Sequence, residues 1–285
     1  MPTDRNDAGM NSVWILDAVP RNEMQTARRL EEDLKDLKAL DNDNIVRCKI
    51  NSGIDLELTF QEMLRRVLSE GVLPWIHLDG HGNEQGFRTA TGILIEWNKL
   101  GRLCSVINQQ TNLQTVVILA TCDGFSFASA MSPIPINEVG SNKLNRSPCV
   151  GFIGTINRVS AGEVSTDFPI FYRTFFEGKG LDKALAALPA GKYSHTSATQ
   201  FFELIWSSHL KNAPKPKNHV RRLRRNAVKQ GIASDVDQLP LSKLYPLLNE
   251  VRASLLTKSW TYFFFHDVYP ENKNAFPIPF GTENP

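Results

Sequence analysis

Two apolar runs constrain this chain most. Leu73-Pro74-Trp75-Ile76-His77-Leu78-Asp79 stops at Gly80-His81-Gly82, and Val116-Val117-Ile118-Leu119-Ala120-Thr121 stops at Cys122-Asp123-Gly124. Each run is too short for a buried helix and lacks a polar face, which is the pattern of a strand covered on both sides. Forty-one residues separate His81 from Cys122, enough for one crossover helix and its loops. The two runs therefore read as neighbouring parallel strands. Chemistry in open parallel sheets collects at the carboxyl ends of the strands, and there this sequence places an imidazole and a thiol.

The rest of the chain supports such a sheet. At 285 residues it can build one large α/β core. Val13 to Val19 reads as a first strand after a loose tail at 1–12, and 22–38 as a helix with Leu30, Leu34 and Leu37 on one face. Strand two is expected at 44–50, a helix at 57–70 and strand three at 74–79. Residues 83–91 form a loop or short hairpin, and a helix runs from Leu94 to about Gln109. Strand four covers 115–121. A helix begins near Phe125, a long loop follows over 133–147, and strand five covers 149–154. A cap at Ser165-Thr166-Asp167 opens a helix to Phe175, with another piece at 181–188. Further helices are expected at 197–210, 218–230 and 240–257. Trp260 to Val268, rich in aromatics, reads as a late strand. The alternation of strand and helix argues for one domain over 1–285: a mostly parallel sheet with helices on both faces, a helical C-terminal third and a late strand.

With the His81-Gly82 and Cys122-x-Gly124 turns placed, the sequence resembles the caspase-like cysteine peptidases. Their nucleophile signature is Q-A-C-x-G, with a His about 50 residues upstream. Ala120-Thr121-Cys122-Asp123-Gly124 keeps the Cys and the Gly, and has Thr121 where the signature has Ala. The stretch Ile95 to Leu100, and Cys149 to Gly154 followed by Asp167 and Phe171-Tyr172-Arg173, resemble the bacterial CHAT branch of that group. The resemblance spans about residues 10–190. It implies a caspase-like sheet, Cys122 as nucleophile, His81 as acid/base, and an oxyanion hole at Gly82 and Cys122. It also implies a protein substrate, a regulatory protein partner or activator, and a role in bacterial regulation or antiviral defence. For substrate contact the sequence offers Asp123, Arg158 and Asp167: either acid would suit a basic residue before the cleaved bond, and Arg158 an acidic one.

The same residues admit other readings. His77, Asp79 and His81 alternate, so on one strand they would share a face as a metal trio; the strand is central and no further ligand cluster accompanies them, so no metal or other cofactor is expected. Gly124-Phe125-Ser126-Phe127-Ala128 looks like a nucleophile elbow, but Ser126 lies too far beyond the strand. The four cysteines (Cys48, Cys104, Cys122, Cys149) show no paired spacing, which argues against a disulfide frame and for a reducing, cytoplasmic setting. No apolar stretch is long enough to cross a bilayer, so no membrane association is expected. The basic charge is concentrated in Lys211 to Lys229, eight Lys or Arg and no acid. Read as a helical insertion at 211–230, this segment is a solvated face or, through Arg221, Arg222, Arg224 and Arg225, a contact for nucleic acid or an acidic protein. The alternative to an enzyme is thus a caspase-like scaffold with an idle dyad, binding a partner through this basic segment.

Overall fold

The computed structural model describes residues 10–133, 144–212 and 253–278, with side chains to 208 in the middle stretch. Its centre is a six-stranded sheet. In chain order the strands are β1 (Ser12–Asp17), β2 (Ile45–Lys49), β3 (Pro74–Asp79), β7 (Val116–Ala120), β8 (Gly151–Thr155) and β9 (Tyr193–Ser197), arranged β2-β1-β3-β7-β8-β9. All neighbours pair parallel except β9, which runs antiparallel to β8. Three short strands, β4 (His81–Asn83), β5 (Gly86–Arg88) and β6 (Leu94–Glu96), form a second, antiparallel sheet beyond the end of β3.

Both faces of the large sheet are covered, as parallel pairing requires. On one face Val13, Ile15, Trp75, Val116, Ile118 and Ile153 pack under α1 (Thr26–Asp36), α4 (Ala161–Thr174) and α5 (Gly180–Ala186). On the other, Trp14, Leu16, Ile76, Leu78, Val117, Leu119 and Phe152 pack under α2 (Gly53–Glu70), α3 (Trp97–Gln110) and α6 (Ala198–Asn212). The period-2 alternation of each strand divides its residues between two cores. Among the described residues no helix is long and apolar enough to cross a membrane.

Several expectations are corrected. Helix α1 starts at Thr26, not 22, which leaves Glu23 in the preceding loop. Residues 94–96 are strand β6, because Ile95 pairs opposite buried Phe87 before the helix can begin at Trp97. Helix α4 starts at Ala161 rather than at Ser165: Ser160 and Glu163 form a reciprocal capping box. Strand β9 follows the turn at Gly191 and was not anticipated. The expected late strand at 260–268 is helix α7 (253–263) followed by turns, with α8 (Asn272–Ala275) beyond. Leu256, Trp260, Phe263 and Phe264 recur at helical spacing and are buried, with Trp260, Phe263 and Phe264 against Phe202 of α6. Trp260 Nε1 donates to the Phe276 carbonyl at 2.9 Å. A continuous aromatic run has no period to betray its fold, and here packing overrode strand propensity. The tail to residue 9, most of the 133–147 loop, the helix expected at 218–230, the helix expected at 240–257 up to residue 252, and the basic segment beyond Asn212 lie outside the described residues.

The helical assignment of α7 can be checked at Lys258, an exposed position in its middle. Lys258→Pro should destabilise the protein by about 3 kcal/mol in urea denaturation, while Lys258→Ala stays within about 0.5 kcal/mol. Equal tolerance of both would contradict a helix here.

Candidate active site

The site begins with register. In the β3–β7 ladder Asp79 lies opposite Ala120, so His81 and Cys122 each follow the last paired residue by two positions. The two chains leave the sheet at the same level and touch at once. A Cβ on Gly82 would meet the Cys122 carbonyl oxygen at 2.5 Å and the Thr121 hydroxyl at 2.8 Å. Only glycine permits that approach. On the far side the Cys122 turn sits equally close to β8, where a Cβ on Gly154 would meet the Phe125 nitrogen at 2.6 Å.

That turn is held by hydrogen bonds rather than by bulk. The Thr155 hydroxyl donates to the Thr121 carbonyl and accepts from the Gly124 N–H at 3.1 Å. Gly124 N–H also reaches the Thr121 carbonyl at 3.1 Å, and Asp123 N–H donates to the Asn157 carbonyl at 3.2 Å. Asp123 takes a left-handed backbone, φ 53°, which Asp tolerates better than most residues. Cys122 is half-buried, and its thiol donates to the Val159 carbonyl at 3.6 Å. His81 is at the surface, its side chain 53% exposed, with Nε2 2.7 Å from Glu23 Oε2. Among the described residues no hydrogen bond joins His81 to Cys122 in this conformation. Catalytic contacts in unliganded sites are often long and tighten around substrate.

The other residues singled out in the sequence separate. His77 is fully buried, its ring edge-on to Phe168 with centroids 4.9 Å apart and Nδ1 3.2 Å from the Tyr172 hydroxyl. Burial drives its imidazole down to about 3, so it stays neutral, and Nε2 has no partner among the described residues. Asp79 is buried beside Asp17, its neighbour in the β1–β3 register. Burial pushes the Asp79 carboxyl up to about 7 against a hydrogen bond from Thr26; Asp17 adds to the rise and Lys49 opposes it. Asp17 has its own cations, Arg47 and Lys49, each at 2.9 Å. The trio His77, Asp79 and His81 therefore does not converge. Among the described residues no group of three or more His, Cys, Asp or Glu could hold a metal ion. Asp167 is buried and accepts from the Tyr193 hydroxyl at 2.8 Å and from Lys192 at 3.3 Å, tying α4 to β9. Arg158 is exposed on the loop after β8, one residue before Val159. Ser126 lies inside the 3-10 turn Gly124–Met131.

Sequence reasoning missed Glu23, Val159 and Thr155 as neighbours of the site. Thr155 ends a strand beside β7 and could have been found from the register. Glu23 and Val159 arrive on loops, for which no periodicity exists.

Two measurements follow. Gly82→Ala forces its Cβ into the Cys122 carbonyl and should cost about 1–3 kcal/mol in denaturant, with slowed alkylation of Cys122; unchanged behaviour would refute the contact. Asp79 tests the buried carboxyl. An unfolded Asp ionises near 3.8, the folded one near 7, so between these values the native state holds the extra proton and stability falls as pH rises. Asp79→Asn should flatten the decline between pH 4 and pH 8, a difference of a few kcal/mol at most. A decline of the same slope in both proteins would remove Asp79 as its source.

No family model matches this chain, and no curated protein matches it. Among solved structures, the complex of the Porphyromonas gingivalis RgpB pro- and mature domains is similar at a TM-score of 0.35 and 12% identity, over 60% of this chain. The matched part spans 38% of that chain, well under half its length.

Proposed function

We propose that this chain is a caspase/CHAT-like cysteine endopeptidase in which Cys122 attacks and His81 carries the proton. The observation that supports this most is the register: Asp79 opposite Ala120 brings His81-Gly82 and Cys122 out of adjacent strands at one level, with Gly82 against the Cys122 carbonyl. A peptide bond demands a nucleophile, a proton carrier and donors for the developing oxyanion. Cys122 Sγ, as thiolate, would add to the scissile carbonyl carbon while the proton it gave up rests on His81. The oxygen, now negative, would be met by backbone N–H groups at Gly82 and Cys122. Collapse expels the amine, which takes the proton from His81 and leaves a thioester. Water, deprotonated by His81, then releases the acid and restores the thiol.

The finer reading follows from the sequence resemblance. The substrate is one specific protein, cut in a bacterial regulatory or defence system under the control of a protein partner or activator. Asp123, Arg158 and Asp167 stay as substrate-contact proposals; of these, Asp123 and Arg158 lie nearest in sequence to Cys122 and to Val159. A second reading, an idle dyad on a scaffold that binds an acidic protein or nucleic acid through Arg221, Arg222, Arg224 and Arg225, draws on the thiol's bond to Val159 rather than to His81.

A peptidyl electrophile presented to the intact protein separates the two. The enzyme should be labelled at Cys122, lose labelling in Cys122→Ala, and react at least tenfold more slowly in His81→Ala. Labelling of Cys122 at the same rate with and without His81 would leave only the scaffold.

A further inference from the structure

The hydrogen bond from His81 to Glu23 has no place yet in this chemistry. A carboxylate only accepts, so the ring nitrogen at 2.7 Å from Glu23 Oε2 is a donor and Nε2 carries the proton. That leaves Nδ1 as the nitrogen that can exchange a proton with Cys122. We propose that Glu23 is a positioning residue of the dyad, which fixes the His81 ring with Nδ1 bare and stabilises the imidazolium once the Cys122 proton has moved to it. This rests on the peptidase reading above and assigns the dyad an orienting carboxylate.

The loop bearing Glu23 is built to present it. Glu23 N–H closes a turn onto the Pro20 carbonyl at 3.1 Å. The Gln25 side-chain amide donates both to the Pro20 carbonyl at 2.7 Å and to the Glu23 carbonyl at 2.8 Å. At its start the loop is tied to the sheet by Ala18 N–H on the Asp79 carbonyl at 2.8 Å and by Lys49 on the Val19 carbonyl. At its end Thr26 opens α1 and reaches the buried Asp79 carboxyl. The segment is thus anchored on β2 and β3, and on β3 at the residue two before His81. Gln25 stands at the helix-capping position without capping the helix, because its side chain is spent on this turn.

Neighbouring charged residues are placed differently. Arg88 lies opposite His81 in the β4–β5 ladder and donates to the Gly92 carbonyl at 2.9 Å. Asp79 is buried beneath α1, and Asp123 follows Cys122 on the other strand end. Among the described residues, Glu23 is the carboxylate in hydrogen-bond contact with the ring. Its side chain is 43% exposed, so the pair adds little to folding stability; its value is orientation of the ring.

The test is the rate at which iodoacetamide alkylates Cys122, read by peptide mapping across pH on the full chain. With Nε2 held on Glu23, the ring keeps Nδ1 bare to take the thiol proton, so Cys122 is the better nucleophile when Glu23 is present. Glu23→Gln should slow alkylation at neutral pH by about fivefold, with an unchanged melting temperature. In His81→Ala the same substitution should have no further effect. A Glu23→Gln profile that superimposes on wild type, while His81→Ala slows the reaction, overturns the role of Glu23 and leaves the dyad standing. Equal slowing by Glu23→Gln with and without His81 overturns it too. An unchanged rate in His81→Ala removes the peptidase reading, and this assignment with it.

Discussion

The parallel pairing of β3 with β7 is the constraint on which the rest depends. It buries both strands on both faces, so neither can slip without moving a whole apolar set into the wrong core. It also aligns their ends. Once Asp79 is opposite Ala120, the residues two steps on must meet in the same space, and glycine at 82 removes the side chain that would hold them apart. Thr155, delivered by the next strand, clamps the turn that carries Cys122. The site is thus a consequence of sheet register, closed by close backbone contacts.

The same geometry explains a buried polar stripe that looks extravagant in sequence. His77 and Asp79 point into the core beneath α4 and α1, where each costs desolvation. Each has partial compensation: His77 from Tyr172, Asp79 from Thr26 and the nearby Lys49. His81 continues their alternation in sequence but not in space. Gly80 turns the chain out of the large sheet into β4, and the third member of the trio reaches solvent.

Long-range effects also account for the elements that periodicity misplaced. Leu94 to Glu96 has the composition of a helix start, yet β5 offers it a ladder. The aromatic run at 260–268 has strand propensity, yet Phe202 and Phe276 offer its aromatic side chains a packed niche at helical spacing. Ser165-Thr166-Asp167 could cap a helix, but Ser160 with Glu163 does so one turn earlier and satisfies both donors. In each case a partner distant in sequence, or a better local cap, outcompeted a sound local preference.

By itself the sequence determined the parallel strands, their order of appearance and the turns that end them, because a strand buried on both faces must be apolar throughout and must stop where glycine allows a sharp exit. It thereby placed His81 and Cys122 at strand ends. The tertiary structure decided what surrounds them: Glu23 on the imidazole, Val159 on the thiol, and Asp167 committed to Tyr193. These neighbours come from loops and from strands far apart in the chain. Loop conformation has no period, and contact across a sheet is settled by packing energies that no local stretch of residues contains.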